Sequence, residues 1–201
     1  MGCPVENARI GRVIRAGRAV VLLGALLGAP VARGGEGPGV ELQLEGSAVT
    51  LKPEDKPRIS YADQPGSGLG GLLRVRGRVG PPELRWIAGL LVERLQRGAF
   101  VSAGESGVRL GGQLGLGWML STEWRLEGLL EAGRSLRGTD WFTYIGVRPG
   151  VTWTSELIPH LGAVASLALL LRKELQPENG PLAPAGGREL GLSLAVGASF
   201  E

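Results

Sequence analysis

Residues Glu189 to Phe200 read ELGLSLAVGASF, with Leu190, Leu192, Leu194, Val196, Ala198 and Phe200 on one parity and Glu189, Gly191, Ser193, Ala195, Gly197 and Ser199 on the other. Successive side chains of a β-strand point to opposite faces, so this is one strand with an apolar side and a small, polar side. The same two-sided pattern recurs through most of the chain.

Working outward from that segment, about eight strands are expected. Val40–Leu51 sets Val40, Leu42 and Leu44 against Glu41, Gln43 and Glu45, with a phase slip near Gly46-Ser47 that suggests a bulge or a strand end. Leu69–Val79 sets Leu73, Val75 and Val79 against Arg74, Arg76 and Arg78, and Leu84–Arg94 sets Trp86, Leu90 and Val92 against Arg85 and Glu93. Val108–Leu120, Glu123–Gly133, Trp141–Thr154 and Leu161–Arg172 alternate in the same way. Each approaches the roughly 9–11 residues that a tilted strand needs to cross a bilayer. Short connections (80–83, 121–122 and 155–160) alternate with longer ones (52–68, 95–107, 173–188 and the middling 134–140). Outer-membrane barrels alternate short periplasmic turns with longer outer loops in this manner.

Ahead of the strands, Arg9, Arg12, Arg15 and Arg18 precede an apolar run from Ala19 to Val31, and Ala32-Arg33-Gly34 follows. This reads as an export signal over residues 1–34, cleaved after Gly34, which implies the Sec route. The apolar run is short for a spanning helix. Residues 1–34 hold five Arg and one Glu, so of 22 basic and 19 acidic residues the remainder keeps 17 and 18, a net of −1. The basic balance belongs to the signal, and no nucleic-acid partner is expected. Cys3, the sole cysteine, leaves with it, so neither a disulfide nor thiol chemistry is expected.

Alternation alone fits a soluble barrel too, with the apolar side turned inward around an apolar ligand. Two observations favour the membrane. Trp86, Trp118, Trp124 and Trp153 lie on the apolar parity beside the short turns, while Trp141 lies at the opposite end, as in an aromatic girdle. The polar parities carry both signs of charge: Arg74, Arg76, Arg78, Arg85, Arg109, Arg125 and Arg148 against Glu41, Glu45, Glu93, Glu123, Glu127 and Glu131. Turned inward, such a set can pair and fill a narrow lumen. The 35 glycines, many on that same parity, would leave room for the long side chains.

On these features, and on the terminal Leu192-x-Leu194-x-Val196-x-Ala198-x-Phe200 pattern, residues 40–200 resemble the small eight-stranded outer-membrane barrel proteins of Gram-negative bacteria. The resemblance implies an all-β, up-and-down transmembrane barrel over residues 35–201 in the outer membrane. It further implies contact with outer-membrane lipid, and Leu192, Leu194, Val196 and Phe200 as the insertion signal read by the barrel-assembly machinery. Glu201 follows the aromatic, whereas that signal usually ends on it.

Nothing else carries chemistry. His160 is the only histidine and has no serine suitably placed for a nucleophile pair, so no catalytic residue is assigned. One histidine without a cysteine makes no metal site, and no cofactor is expected. Gly66-Ser-Gly-Leu-Gly-Gly71 lacks the strand-to-helix context of a phosphate loop. The expectation is a non-enzymatic barrel with a structural, adhesive or surface-interaction role through its loops, whose partner no motif identifies.

Overall fold

The computed structural model describes residues 38–53, 64–97, 105–137, 140–175 and 186–201. Eight antiparallel strands close into a barrel in chain order. They are β1 Gly39–Pro53, β2 Gln64–Arg78, β3 Leu84–Arg97, β4 Glu105–Met119, β5 Trp124–Arg137, β6 Asp140–Ile158, β7 Leu161–Leu175 and β8 Gly187–Phe200. The expected all-β, up-and-down barrel is the observed one, and β8 completes it by pairing with β1 along its whole length. The signal segment lies outside the described residues.

Register defines the barrel's shape. Following paired residues once around, from Glu41 through Arg74, Gly89, Gln113, Glu131, Gly146, Arg172 and Glu189, returns to β1 at Leu51. The offset from residue 41 to residue 51 is ten residues, so the strands tilt by about 40° and the interior is narrow enough for side chains to fill.

The strands are longer than the alternation suggests, 14 to 19 residues. Gly66–Gly71 belongs to β2 rather than to a loop, β5 and β6 leave only residues 138–139 between them, and the turn after β6 shrinks to Pro159-His160. No bulge occurs at Gly46-Ser47, where β1 keeps continuous register with both neighbours. What changes there is the inward chemistry, from Glu45 and Ser47 to Val49 and Leu51, which imitates a phase slip. The irregularity lies instead between Glu156 and Ile158.

At the turn end, Gly80 takes φ 70° and so admits Pro81-Pro82 into a tight connection, where Leu84 N–H donates to the Pro81 carbonyl at 3.0 Å. Ser121 Oγ accepts from the Trp124 and Glu123 amides at 3.1 and 3.3 Å. His160 adopts φ 69°, a left-handed conformation that histidine tolerates better than most residues.

Candidate functional site: the lumen and the outer wall

Six arginines and seven glutamates of the strands are buried inside the barrel: Arg74, Arg76, Arg109, Arg125, Arg148 and Arg172 with Glu41, Glu45, Glu93, Glu127, Glu131, Glu174 and Glu189. An isolated buried charge costs several kcal/mol, so such a set persists only when each member meets its opposite.

Towards the turn end, Arg125 donates to Glu41 at 2.7 Å and to Glu127 at 2.8 Å. Arg74 meets Glu127 at 3.0 Å, Thr152 Oγ1 adds a bond to Glu127 at 2.7 Å, and Arg76 reaches both Glu41 and Glu201. At mid-height Arg148 grips Glu45 with both terminal nitrogens, at 2.8 and 2.7 Å. Glu131 accepts from Gln113 and from Arg172, each at 2.6 Å. Nearer the loop end, Arg109 bonds Glu189 at 2.7 Å and Glu93 at 2.9 Å, and Arg172 bonds Glu189 at 3.0 Å. The Tyr144 ring faces both guanidinium carbons, 4.9 Å from Arg109 and 5.8 Å from Arg172. Val49, Leu51, Leu95 and Phe142 are buried beside this upper cluster.

Close approach explains several lumen glycines. A Cβ at Gly111 would stand 1.9 Å from the Tyr144 hydroxyl, so only glycine leaves room for that ring. The interior is therefore a polar core of paired charges. Its charged lining is also the wrong surface for an apolar guest, which removes the soluble ligand-binding alternative.

Of the residues expected in this network, Arg85 is only half-buried at the start of β3, donating to the Leu84 carbonyl, while Glu41, Glu45, Arg74, Arg76, Glu93, Arg109, Arg125, Glu127, Glu131 and Arg148 lie in it. Arg78 does not. It sits on the last residue of β2 and is exposed, because the wall ends there and nothing encloses it. Glu123 is likewise exposed, in the turn before β5, where it accepts a bond from Trp153 Nε1 at 3.3 Å. Three members were not anticipated. Arg172 and Glu189 carry the right parity but stand at the ends of their expected strands, and Glu174 falls in what reads as a loop.

The outer wall is the reverse. Leu44, Leu114, Leu130 and Leu194 are exposed, Leu44 by 69% and Leu130 by 64%, whereas Arg109 and Glu93 have no exposure. Trp118, Trp124 and Trp141 also face outward and are exposed, while Trp86 and Trp153 are half-covered, the Trp86 ring lying over Gly77. Trp124 and Trp153 are register partners beside the turns, and Trp141 lies near the loop end of β6. An aliphatic band between aromatic margins around a charged interior defines a transmembrane β-barrel.

No protein-family model matches the chain, and no curated protein matches it in sequence. Its fold is similar to the solid-state NMR structure of outer membrane protein AlkL in lipid bilayers, with 13% identity, 86% of this chain and 94% of that chain covered, and a TM-score of 0.54. Neisserial surface protein A (14% identity, 80% and 99% covered, TM-score 0.46) and Ail of Yersinia pestis (14%, 81% and 98%, 0.44) also align. The chain has the fold of the small eight-stranded outer-membrane barrels.

Proposed function

We propose that this chain is a non-enzymatic, non-conducting barrel of the outer membrane, with a structural, adhesive or surface-interaction role exerted through its loop end. One observation carries the reading. The lumen is occupied along its height by buried ion pairs and apolar side chains, which leaves the outer wall and the loops as working surfaces. The single histidine supports the non-enzymatic part, since it is exposed in a two-residue turn. On this reading outer-membrane lipid is the constant partner, and neither nucleic acid nor a cofactor takes part. Export follows the Sec route, directed by residues 1–34, which are lost on translocation. The barrel-assembly machinery reads Leu192, Leu194, Val196 and Phe200 on β8.

Reconstitution into planar bilayers tests the closed lumen, with no stepwise conductance expected. Steady single-channel currents would overturn it. Replacing residues 54–63 and 176–185 with Gly-Ser segments of equal length should preserve the folded, heat-modifiable barrel and abolish attachment of cells displaying it. Undiminished attachment would overturn the loop assignment.

A further inference from the structure

Seven of the eight strands run for 14 or 15 residues, whereas β6 runs for 19 and overshoots its neighbour at the turn end. Its ladder with β5 ends at Trp153 opposite Trp124, and the bond from Thr154 N–H to the Glu123 carbonyl, 2.8 Å, is the last link on that side. β6 nevertheless continues to Ile158, paired there with β7 alone. The β6–β7 hairpin therefore stands past the rim with two unlike edges. Its β7 edge is covered, since Phe200 pairs with Leu161 and Glu201 N–H carries on to the His160 carbonyl at 3.2 Å. Its β6 edge is open.

Backbone polar groups alternate sides along a strand. Thr154 N–H points toward β5, so the Thr154 carbonyl and both backbone groups of Glu156, two residues on, point the same way. Among the described residues no backbone group bonds Glu156 on that side. An open edge is a template for a further strand. Here the bulge between Glu156 and Ile158 keeps the edge short, and the exposed Glu156 carboxylate repels an acidic strand and favours a basic one.

A cavity of about 350 Å³ lies against the same edge, lined by Glu123, Glu156, Glu201, Thr154, Ser155 and Ser199 among others. Three carboxylates converge on it. Glu201 is held by Arg76 and Glu123 accepts from Trp153 Nε1, whereas Glu156 meets no cation among the described residues. The remaining arginines of this rim, Arg78 and Arg85, stand on β2 and β3, across the mouth from β6. On the outward side of the hairpin, Leu157 is exposed.

We propose that the open edge of β6 docks a basic, extended segment of a periplasmic protein, which adds as a strand beside residues 154–158. Alternate side chains of that segment divide the work: a Lys or Arg enters the cavity against Glu156, and an apolar neighbour lies on Leu157. The inference rests on the reading that the short turns face the periplasm.

Titration of the isotope-labelled full chain in detergent micelles with the peptide Thr-Lys-Val-Lys-Val-Arg-Thr tests it by NMR. The Glu156 amide should shift and its hydrogen exchange should slow. The same peptide with Glu in place of each Lys and Arg should bind at least tenfold more weakly, and Glu156→Gln should weaken the basic peptide by about tenfold, the loss of one charge-assisted bond. Arg78→Gln should leave affinity unchanged. Should Glu156→Gln fail to fold, a backbone N-methylated form of the basic peptide probes the unaltered protein: it keeps the charge, cannot pair as a strand, and should not bind. Equal affinity for the acidic peptide, or for the N-methylated one, would overturn the site. The sidedness is read separately, from Leu157→Cys in cells. A membrane-impermeant maleimide should label it only once the outer membrane is permeabilised. Labelling in intact cells would overturn the periplasmic placement while binding in micelles persisted, so the two failures are distinct.

Discussion

Along β5, Arg125, Glu127 and Glu131 face the lumen, while Trp124, Leu126 and Leu130 face outward one residue away. The outward row needs only to be apolar and tall enough, because hydrocarbon makes no directional demand and leucine, valine and isoleucine serve alike. The inward row is specific. Arg125 joins β5 to Glu41 on β1, Arg74 joins β2 to Glu127 on β5, and Arg109 joins β4 to Glu189 on β8. These pairs link strands that share no ladder, so they brace the closed cylinder across its diameter. The lesson is that a membrane barrel inverts the usual core. Its specificity is electrostatic and interior, and its apolar surface is interchangeable.

The strongest way to break this contrast is to remove one interior cation. Arg109→Leu would remove the nearest cation of Glu93 and Glu189 and leave Arg172 to serve both, in a region that already holds more acid than base, and should cost about 3 kcal/mol. Denaturant unfolding in lipid vesicles measures it, and a loss below 1 kcal/mol would mean the network contributes little. Next comes charge on the lipid face. Leu194→Arg, central in β8, should cost about 2–4 kcal/mol. Leu116→Arg should cost less by the same measurement, because its register partner on β3 is Trp86 at the girdle and a long arginine there can reach the interface. Equal costs at the two sites would contradict the depth assignment.

A smaller effect belongs to the turns, which serve neither face. Gly80→Ala forces a Cβ into φ 70° and should cost about 1 kcal/mol, read as a shift in the unfolding midpoint. No shift would show that the turn relaxes out of that conformation.

Which face each residue occupies was legible in the sequence, because a period of two survives any context, and parity alone placed ten of the thirteen expected charges in the lumen. Strand length was not. Beyond the bilayer the outward positions need no apolar side chain, so Ser67, Gln96 and Ser106 blur the alternation while the hydrogen-bond ladder runs on. Pairing was hidden for a different reason. Arg109 and Glu189 are 80 residues apart and meet only because the register climbs ten residues per circuit, a closure that no local pattern encodes.

The smallest predicted effect sharpens the boundary between the two regions. Arg76 and Arg78 share a parity and a strand and differ by a single step along the lumen axis. Arg76 is buried and paired with Glu41 and Glu201, whereas Arg78 is exposed past the end of the wall. An exposed charge without a fixed partner is worth little, so Arg78→Gln should shift stability by no more than about 0.5 kcal/mol. Arg76→Gln should cost more, by a margin smaller than at Arg109, because Arg125 also holds Glu41 and Glu201 is itself exposed. The difference between these two neutralisations, two residues apart, measures how sharply the interior ends. Indistinguishable values would mean that water already reaches Arg76 and that the sealed region begins deeper, at the level of Arg74 and Arg125.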